Sequence, residues 1–578
     1  MSKLSFDQKT IRLLLEDKKA DFLIPDYQRP YAWEEKECQT LWDDLFMFAF
    51  PDDGRGDFDE MKEEYFLGPI VTFRNKQNKL EIIDGQQRLT SIMLLLRAFY
   101  AKNDEINDPN AEAAKENIAK SIWKTNVYNK PNKDELKIVS EVAMENEKEE
   151  FVKILKTGKV DGEMSSKYAQ NYLFFQDKVD SFLRNYPTLF TLFPMRILDN
   201  CFLLPIETED QDTALRIFST LNDRGKPLSD ADIFKAQFYK YYSSKGEKDS
   251  FMDKWRELEA TCDEIFKPLT GTPMDELFTR YMYYERAKTG VRTSTTEALR
   301  KFYEKNNYAL LKNDFILDNL TALANFWKDI SNQDDKKFSD RILKKLFVLN
   351  YAPNGMWTYF VSVYFMQNKN EQGLLDEEQF YNFLNKTIGF VWAYAFTNPG
   401  VNALRTPIFT EMINIVNGKV VDFNEFKFDK KELEIAIRNY KFLNGRPITK
   451  SMLTLWAFNN NNQKLLSLND RFEIEHIYAK KRAIKDGATD LEFIDWLGNK
   501  SLLEKGINGS AGDCYFDDKK RLYKFGSSKK PGATKILDLL DIANTYKQFN
   551  KSDIETRNDD IITGFLNFIQ GLELIENK

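Results

Sequence analysis

The chain carries one histidine, His476, and it directly follows Glu475. An imidazole of ordinary pKa, near 6.5, accepts a proton from water at neutral pH, which is the work of a general base. A carboxylate beside it, with the amide of Asn508 downstream, is a donor set for Mg2+ or another divalent ion. A base and one metal are sufficient equipment to attack a phosphodiester. The run Phe472-Glu473-Ile474-Glu475-His476 alternates apolar with acidic residues before its histidine, so a short strand delivers Glu475 and His476 at its end. Leu497-Gly498-Asn499, Asn508 and Lys519-Lys520-Arg521 follow. The plain alternative is an ordinary core or surface histidine. It is weakened because a chain that otherwise dispenses with histidine has one beside an acid, ahead of two asparagines, within its basic stretch. From Arg471 to Lys535 there are 14 Lys or Arg against 10 Asp or Glu, whereas the whole chain carries a net charge of -7.

Two further groups suit an anion. Asp84-Gly85-Gln86-Gln87-Arg88-Leu89-Thr90 lies where a strand pattern turns into a helix pattern. A helix start presents free N–H groups, a glycine lets an anion approach them, and Arg88 adds a bidentate fork. Asp84 as a simple N-cap and Arg88 as a surface residue stand as the alternative. The second group is Ile24-Pro25-Asp26-Tyr27-Gln28-Arg29-Pro30-Tyr31-Ala32-Trp33, where an arginine among aromatics suits a base or a phosphate. A rigid segment with core aromatics explains the same residues. Arg224 and Lys226, in the loop Asn222-Asp223-Arg224-Gly225-Lys226-Pro227, could face the same anion. No GxxxxGK is present, so any nucleotide binds without a P-loop.

The elements that must position these groups are legible in outline. Two prolines hold Ile24 to Trp33 extended. Tyr65 to Phe73 and Leu80 to Ile83 read as strands, and Leu89, Ile92, Met93, Leu96, Phe99 and Tyr100 form one helical stripe. The charged stretch from Ala101 to Tyr168 reads as helix with loops, Cys201 to Pro205 as a strand and Asp212 to Leu221 as a helix. Ser229 is an N-cap for a helix through Tyr242. Ser243 to Lys248 is a linker, Asp249 to Tyr440 is helical throughout, and mixed structure returns around His476.

At 578 residues the chain is long enough for about three or four folding units. Hydrophobic residues at 42% and charged residues at 30% are those of an ordinary globular protein. Cys38, Cys201, Cys262 and Cys514 form no CxxC pair, against a disulfide framework or a cysteine zinc site and for a reducing compartment. The single histidine excludes HExxH metalloproteases, histidine-rich metal centres and Cys2His2 fingers. No apolar stretch reaches the roughly 20 residues of a membrane span, so a cytoplasmic protein is expected.

At these motifs the sequence resembles the GmrSD-like family of modification-dependent (type IV) restriction proteins, which includes SspE-type phosphorothioate sensors. Residues 10 to 240 resemble the S-type half, a ParB/sulfiredoxin-like domain. The motifs that carry this are Ile24 to Trp33, Phe66-Leu67-Gly68-Pro69-Ile70, Ile83 to Thr90, and Ile217-Phe218 with Leu221 to Ser229. Residues 440 to 570 resemble the D-type half, an HNH (ββα-metal) nuclease, through Glu475-His476-Ile477, Leu497-Gly498-Asn499, Asn508 and Phe516 with Lys519 or Lys520. The resemblance implies that the S half binds a nucleoside triphosphate, ATP or GTP, with Asp84, Gly85, Gln86, Gln87 and Arg88 at the site and Tyr27, Gln28 and Arg29 nearby. In the D half it implies His476 as general base, Glu475 and Asn508 as Mg2+ ligands, Asn499 as an orienting residue, and Lys519 or Lys520 as a phosphate contact. Two positions depart from the family pattern, Ala479 in place of a proline and Lys500 in place of an apolar residue, both expected to lie outside the chemistry.

The resulting expectation is a mostly helical α+β protein in three parts. These are a ParB/sulfiredoxin-like nucleotide-binding sensor (1–243), a helical middle (244–440) and an HNH nuclease (441–578). It would cut foreign DNA, modified phage DNA foremost, with Mg2+ and under nucleotide control, with no membrane partner and with an oligomer open. Two other classes remain. One is a nucleotide-gated DNA-binding regulator with an inactive nuclease half, and the other is an RNA-directed nuclease toxin that uses the same His476.

Overall fold

A computed structural model of the chain describes all residues except 1–4, 7, 52–57, 143–144, 163, 212, 215–216, 218–228, 294, 296, 401, 490 and 577–578. Arg224, Lys226 and most of the helix expected from Asp212 to Leu221 lie outside the described residues. The chain divides into two compact units, Met1–Lys248 and Asp249–Lys578. It is mostly helical with a mixed sheet, in keeping with the α+β reading.

Among its described residues the first unit holds nine strands: β1 (Ser5–Phe6), β2 (Lys9–Thr10), β3 (Phe22–Ile24), β4 (Tyr65–Arg74), β5 (Leu80–Asp84), β6 (Trp123–Thr125), β7 (Pro131–Leu136), β8 (Ile138–Ser140) and β9 (Cys201–Thr208). Seven of them form one sheet in the order β1-β9-β4-β5-β3-β8, with β2 also paired to β9, while β6 and β7 make a separate hairpin. β4 runs antiparallel to β5 and parallel to β9. The three residues of β8 sit in the charged stretch that reads as helix and loop. They become a strand because they lie parallel to β3, register Leu23 to Val139, and Ile138 is fully buried.

The chain leaves β5 at Asp84, turns at Gly85 with φ of +90°, and enters the helix Gln86–Asn103. Glycine is needed there, since a Cβ would be strained in the left-handed region and would lie 3.2 Å from the Pro69 carbonyl oxygen. One apolar stripe is expected of this helix, yet it is buried on nearly every side. Helices Pro109–Ile122, Glu145–Thr157 and Lys167–Asn185 pack against it, so the first unit is built around it. Ser229 caps the helix Asp230–Ser244 through a reciprocal pair with Asp232.

The second unit joins the helical stretch and the tail that read as two parts. The last helix, Lys551–Gly571, explains why. Phe565 meets Phe396, Phe428 bridges to Ile575, and Gly389 leaves room for Leu572 and Leu574. Strands β10 (Phe472–His476) and β11 (Lys500–Glu504) pair antiparallel, with Glu475 opposite Ser501 and His476 opposite Lys500. Two helices follow, Lys505–Ala511 and Phe516–Phe525. The turn before β11 is clamped by the last helix. Arg557 donates to the carbonyls of Leu497, Gly498 and Lys500 and pairs with Asp538 at 2.6 Å.

Gly498 lies directly under that helix, where a Cβ would stand 2.0 Å from the Ile554 carbonyl oxygen and 2.7 Å from the Asn558 nitrogen. Both are backbone atoms of a helix, which cannot swing aside as a side chain would. Gly498→Ala is therefore expected to destabilise the second unit by about 1–3 kcal/mol, read as a lower urea midpoint.

Candidate functional site

Alternation along β10 sends Glu473 and Glu475 to one face and His476 to the other. On the first face Glu475, 3% exposed, accepts hydrogen bonds at Oε1 from Lys519 Nζ and Tyr523 OH, both at 2.7 Å. Lys519, 1% exposed, also donates to the His476 carbonyl oxygen. Burial raises the Glu475 pKa, and Lys519 and Tyr523 oppose that rise. Lys519 and Tyr523 stand one helical turn apart on Phe516–Phe525, so one helix face supplies both donors.

Asn508 is expected to share a metal with Glu475, but its amide donates to Glu473 Oε2 at 2.8 Å. Among the described residues no three His, Cys, Asp or Glu side chains gather as a metal site. In this arrangement Glu475 and Asn508 do not fit a divalent ion. The carboxylate is compensated by a buried ammonium and a phenol, and the amide is engaged by a different acid. Lys519 is likewise committed to Glu475. Lys520 donates to the Lys547 carbonyl oxygen at 3.0 Å and pairs with Asp517 at 2.6 Å.

On the other face the His476 imidazole faces Asp495, with Nε2 3.8 Å from Oδ1. Asp495 accepts at 2.9 Å from Lys500 Nζ, which is fully buried and also donates to Asn444 and the Phe442 carbonyl. Burial is the main cause that lowers the His476 pKa, to about 4; Lys500 lowers it further and Asp495 opposes. His476 is thus neutral at pH 7 and able to accept a proton. Lys500, expected to lie outside the chemistry, is its cross-strand neighbour. Asn499 holds the backbone that follows. Its side chain accepts from the Tyr478 N–H at 2.8 Å and donates to the carbonyls of Tyr478 and Ile494.

In the first unit the motif after β5 and the segment after β3 meet. Gln86 donates to the Gln28 side chain at 3.1 Å and to the Arg29 carbonyl, and Gln28 donates to the Ile83 carbonyl. Gln87 donates to the Pro30 carbonyl and accepts from the Ala32 N–H at 2.7 Å. These amides fasten the Tyr27–Ala32 segment to the helix start. Tyr27 is buried and donates to Glu81 at 3.1 Å. Arg88 donates to the Pro69 carbonyl, and its guanidinium fills the space over Gly68, where a Cβ would come within 2.9 Å. Burial raises the Asp84 pKa against the pull of the Gly85 N–H, Arg88 and Arg29, and Arg29 acts in the same way on partly buried Asp232. Two permanent cations at the start of an 18-residue helix fit an anionic group.

Sequence reasoning missed Glu473, Asp495, Tyr523 and Arg557. Tyr523 falls four residues after Lys519, a spacing that was visible; the other three are defined only by long-range contacts.

Residues 11–239 match the GmrSD restriction endonuclease, N-terminal domain, and residues 427–563 match the GmrSD restriction endonucleases, C-terminal domain. The chain belongs to the GmrSD restriction endonuclease family, with a nuclease role and DNA as substrate class. No curated protein matches it. Among the described residues no helix is long and apolar enough to cross a membrane.

As the only imidazole of the chain, His476 gives an unambiguous NMR signal. Its titration is expected near pH 4, and Lys500→Met, which removes a like charge, is expected to move the midpoint upward. The sign for stability follows. Between the ordinary 6.5 and about 4, the unfolded chain binds a proton that the folded chain does not, so this contribution to stability falls as pH drops through that window. A midpoint at 6.5 would contradict the partly buried placement beside Lys500.

Proposed function

We propose that the second unit cleaves DNA phosphodiesters with His476 as general base, in an HNH-like site formed by β10, β11 and the helices after them. The observation that carries this reading is the chain's one imidazole at the end of β10, with Nε2 3.8 Å from Asp495 Oδ1. It sits opposite a buried lysine, and Asn499 steadies the backbone that follows it. Above about pH 4 the imidazole is unprotonated, so its ring nitrogen is available as a proton acceptor. Replacing His476 by alanine is expected to lower cleavage of plasmid or phage DNA by at least about 100-fold while the thermal unfolding midpoint is kept. Undiminished cutting by the folded variant would remove His476 from the chemistry.

The first unit, in this proposal, is a ParB/sulfiredoxin-like domain that binds a nucleoside triphosphate and thereby controls cutting of modified foreign DNA. Arg29 and Arg88 would hold its phosphates, with the N–H groups that open the helix Gln86–Asn103, while Gln86 and Gln87 keep Arg29 in place. Calorimetric titration with ATP and GTP is expected to show binding that Arg29→Ala and Arg88→Ala each weaken about tenfold or more, since a hydrogen bond to a charged group contributes roughly 1.5–3 kcal/mol. Equal affinity in both variants would place the nucleotide elsewhere.

One observation favours a second reading, a DNA-binding regulator whose nuclease half is silent. Glu475 and Asn508 are engaged by Lys519, Tyr523 and Glu473 rather than turned to a shared open position.

A further inference from the structure

Beside the end of β10 lies a cavity of about 600 Å3, entirely within the second unit. Ile477 and Tyr478, the two residues that follow His476, form part of its wall. Two extended residues span at most about 7 Å, so the backbone of the wall begins within that distance of the His476 backbone. The volume lies within the range of about 300–1,000 Å3 found for small-molecule sites.

Its lining is aromatic and cationic at once. Tyr478 and Phe493 stack with ring centroids 6.1 Å apart, Phe516 and Phe549 lie 5.7 Å apart, and Tyr515 is 60% exposed. Arg482 lies over the Tyr515 ring at 3.5 Å, Lys551 lies 5.5 Å from the Phe493 ring, and Lys547 also lines the cavity. Against these three cations stand the acids Asp486 and Asp517, and Asp517 is already paired with Lys520. Ring faces with adjacent positive charge are what a nucleobase and its phosphate require, and base–aromatic stacking tolerates any base.

Size selects between duplex and single nucleotide. A cube of this volume measures about 8 Å on a side, whereas a DNA duplex is wider than either of its grooves, the larger of which alone is roughly 12 Å across. A duplex cannot enter the cavity, whereas one nucleotide turned out of it can.

We propose that this cavity receives a single nucleotide extruded from the DNA beside the bond to be cut, its base held on the aromatic wall and its phosphate by Arg482, Lys547 and Lys551. The inference rests on the nuclease reading of the same hairpin and adds a place where one base of the substrate is inspected. Asn499 has a part in it, since its side chain fixes Tyr478 in the wall and the backbone next to His476 together.

The test uses the full chain with His476→Ala, so that binding is read without cleavage. Extrusion is easier from a mismatched than from a matched position. Fluorescence anisotropy at one fixed salt concentration is expected to show at least tenfold tighter binding to a duplex with a central mismatch than to its matched twin. Tyr515→Ala removes an exposed ring and Thr489→Trp fills the space; each, added to His476→Ala, is expected to abolish the preference while thermal unfolding is unchanged. A preference that is absent from the start, or that survives both substitutions, overturns the proposal. Tight binding of free dCMP or AMP that depends on Tyr515, without mismatch preference, overturns the DNA source, and a preference for an RNA duplex does the same. The two readings fail separately. Wild type that never cuts while the mismatch preference holds overturns the nuclease and leaves the cavity; cutting without the preference does the reverse.

Discussion

A carboxylate removed from water needs a cation, and in the second unit the answer to that need fixes the geometry of the site. Glu475 is buried under the helix Phe516–Phe525, and Lys519 reaches it from that helix while also bonding the carbonyl of His476. A buried ion pair of this kind is not necessarily worth more than well-packed apolar residues. Breaking it, however, strands a charge and costs about 3–5 kcal/mol. Its consequence is specificity. Only one height of the helix along β10 lets Lys519 meet both the carboxylate and the carbonyl, with Tyr523 completing the set one turn later. The end of the strand, and so the backbone of His476, is held from below.

That arrangement frees the opposite face of the strand for a different electrostatic task. His476 has to be neutral to accept a proton, and it is kept so by burial and by Lys500 across the ladder. Lys500 itself is bound to Asp495, Asn444 and the Phe442 carbonyl, so its charge is compensated without a direct bond to the imidazole. One five-residue strand therefore separates a paired carboxylate from an unprotonated base by the alternation of its side chains alone. Adjacent residues in sequence, Glu475 and His476 do not act on one another as a side-chain pair.

This is also where the limit of sequence reading lies. The alternation Phe472-Glu473-Ile474-Glu475-His476 identifies the strand, Asp84-Gly85 the turn and Ser229 the cap, because each is decided within a few residues. The partner of a carboxylate is not local. Glu475 and Lys519 are 44 residues apart, and Asn508 chooses Glu473 over Glu475 only because of where its helix lands. Lys500 reads as a departure from a family pattern until the register sets it opposite His476. Likewise β8 hides in a charged stretch because three residues carry too little pattern, and a neighbouring strand is what makes them one.

The first unit shows the same distinction from the other side. Asp84-Gly85-Gln86-Gln87-Arg88 suggests direct ligand contact by every member, yet two of its side chains are occupied with the backbone of a distant segment. Gln86 and Gln87 hold the carbonyls of Arg29 and Pro30 and the N–H of Ala32, groups that proline-rich, irregular chain could not satisfy by itself. Each amide can both donate and accept, which an acid or a lysine at the same position could not do. The glutamines are therefore required by the architecture even if no ligand touches them. What they hold in place is Arg29, whose charge, with that of Arg88, acts on Asp84. Loss of either amide would release Arg29 and leave Arg88 on its Pro69 carbonyl, so the glutamines act on an anion chiefly through the segment they fasten.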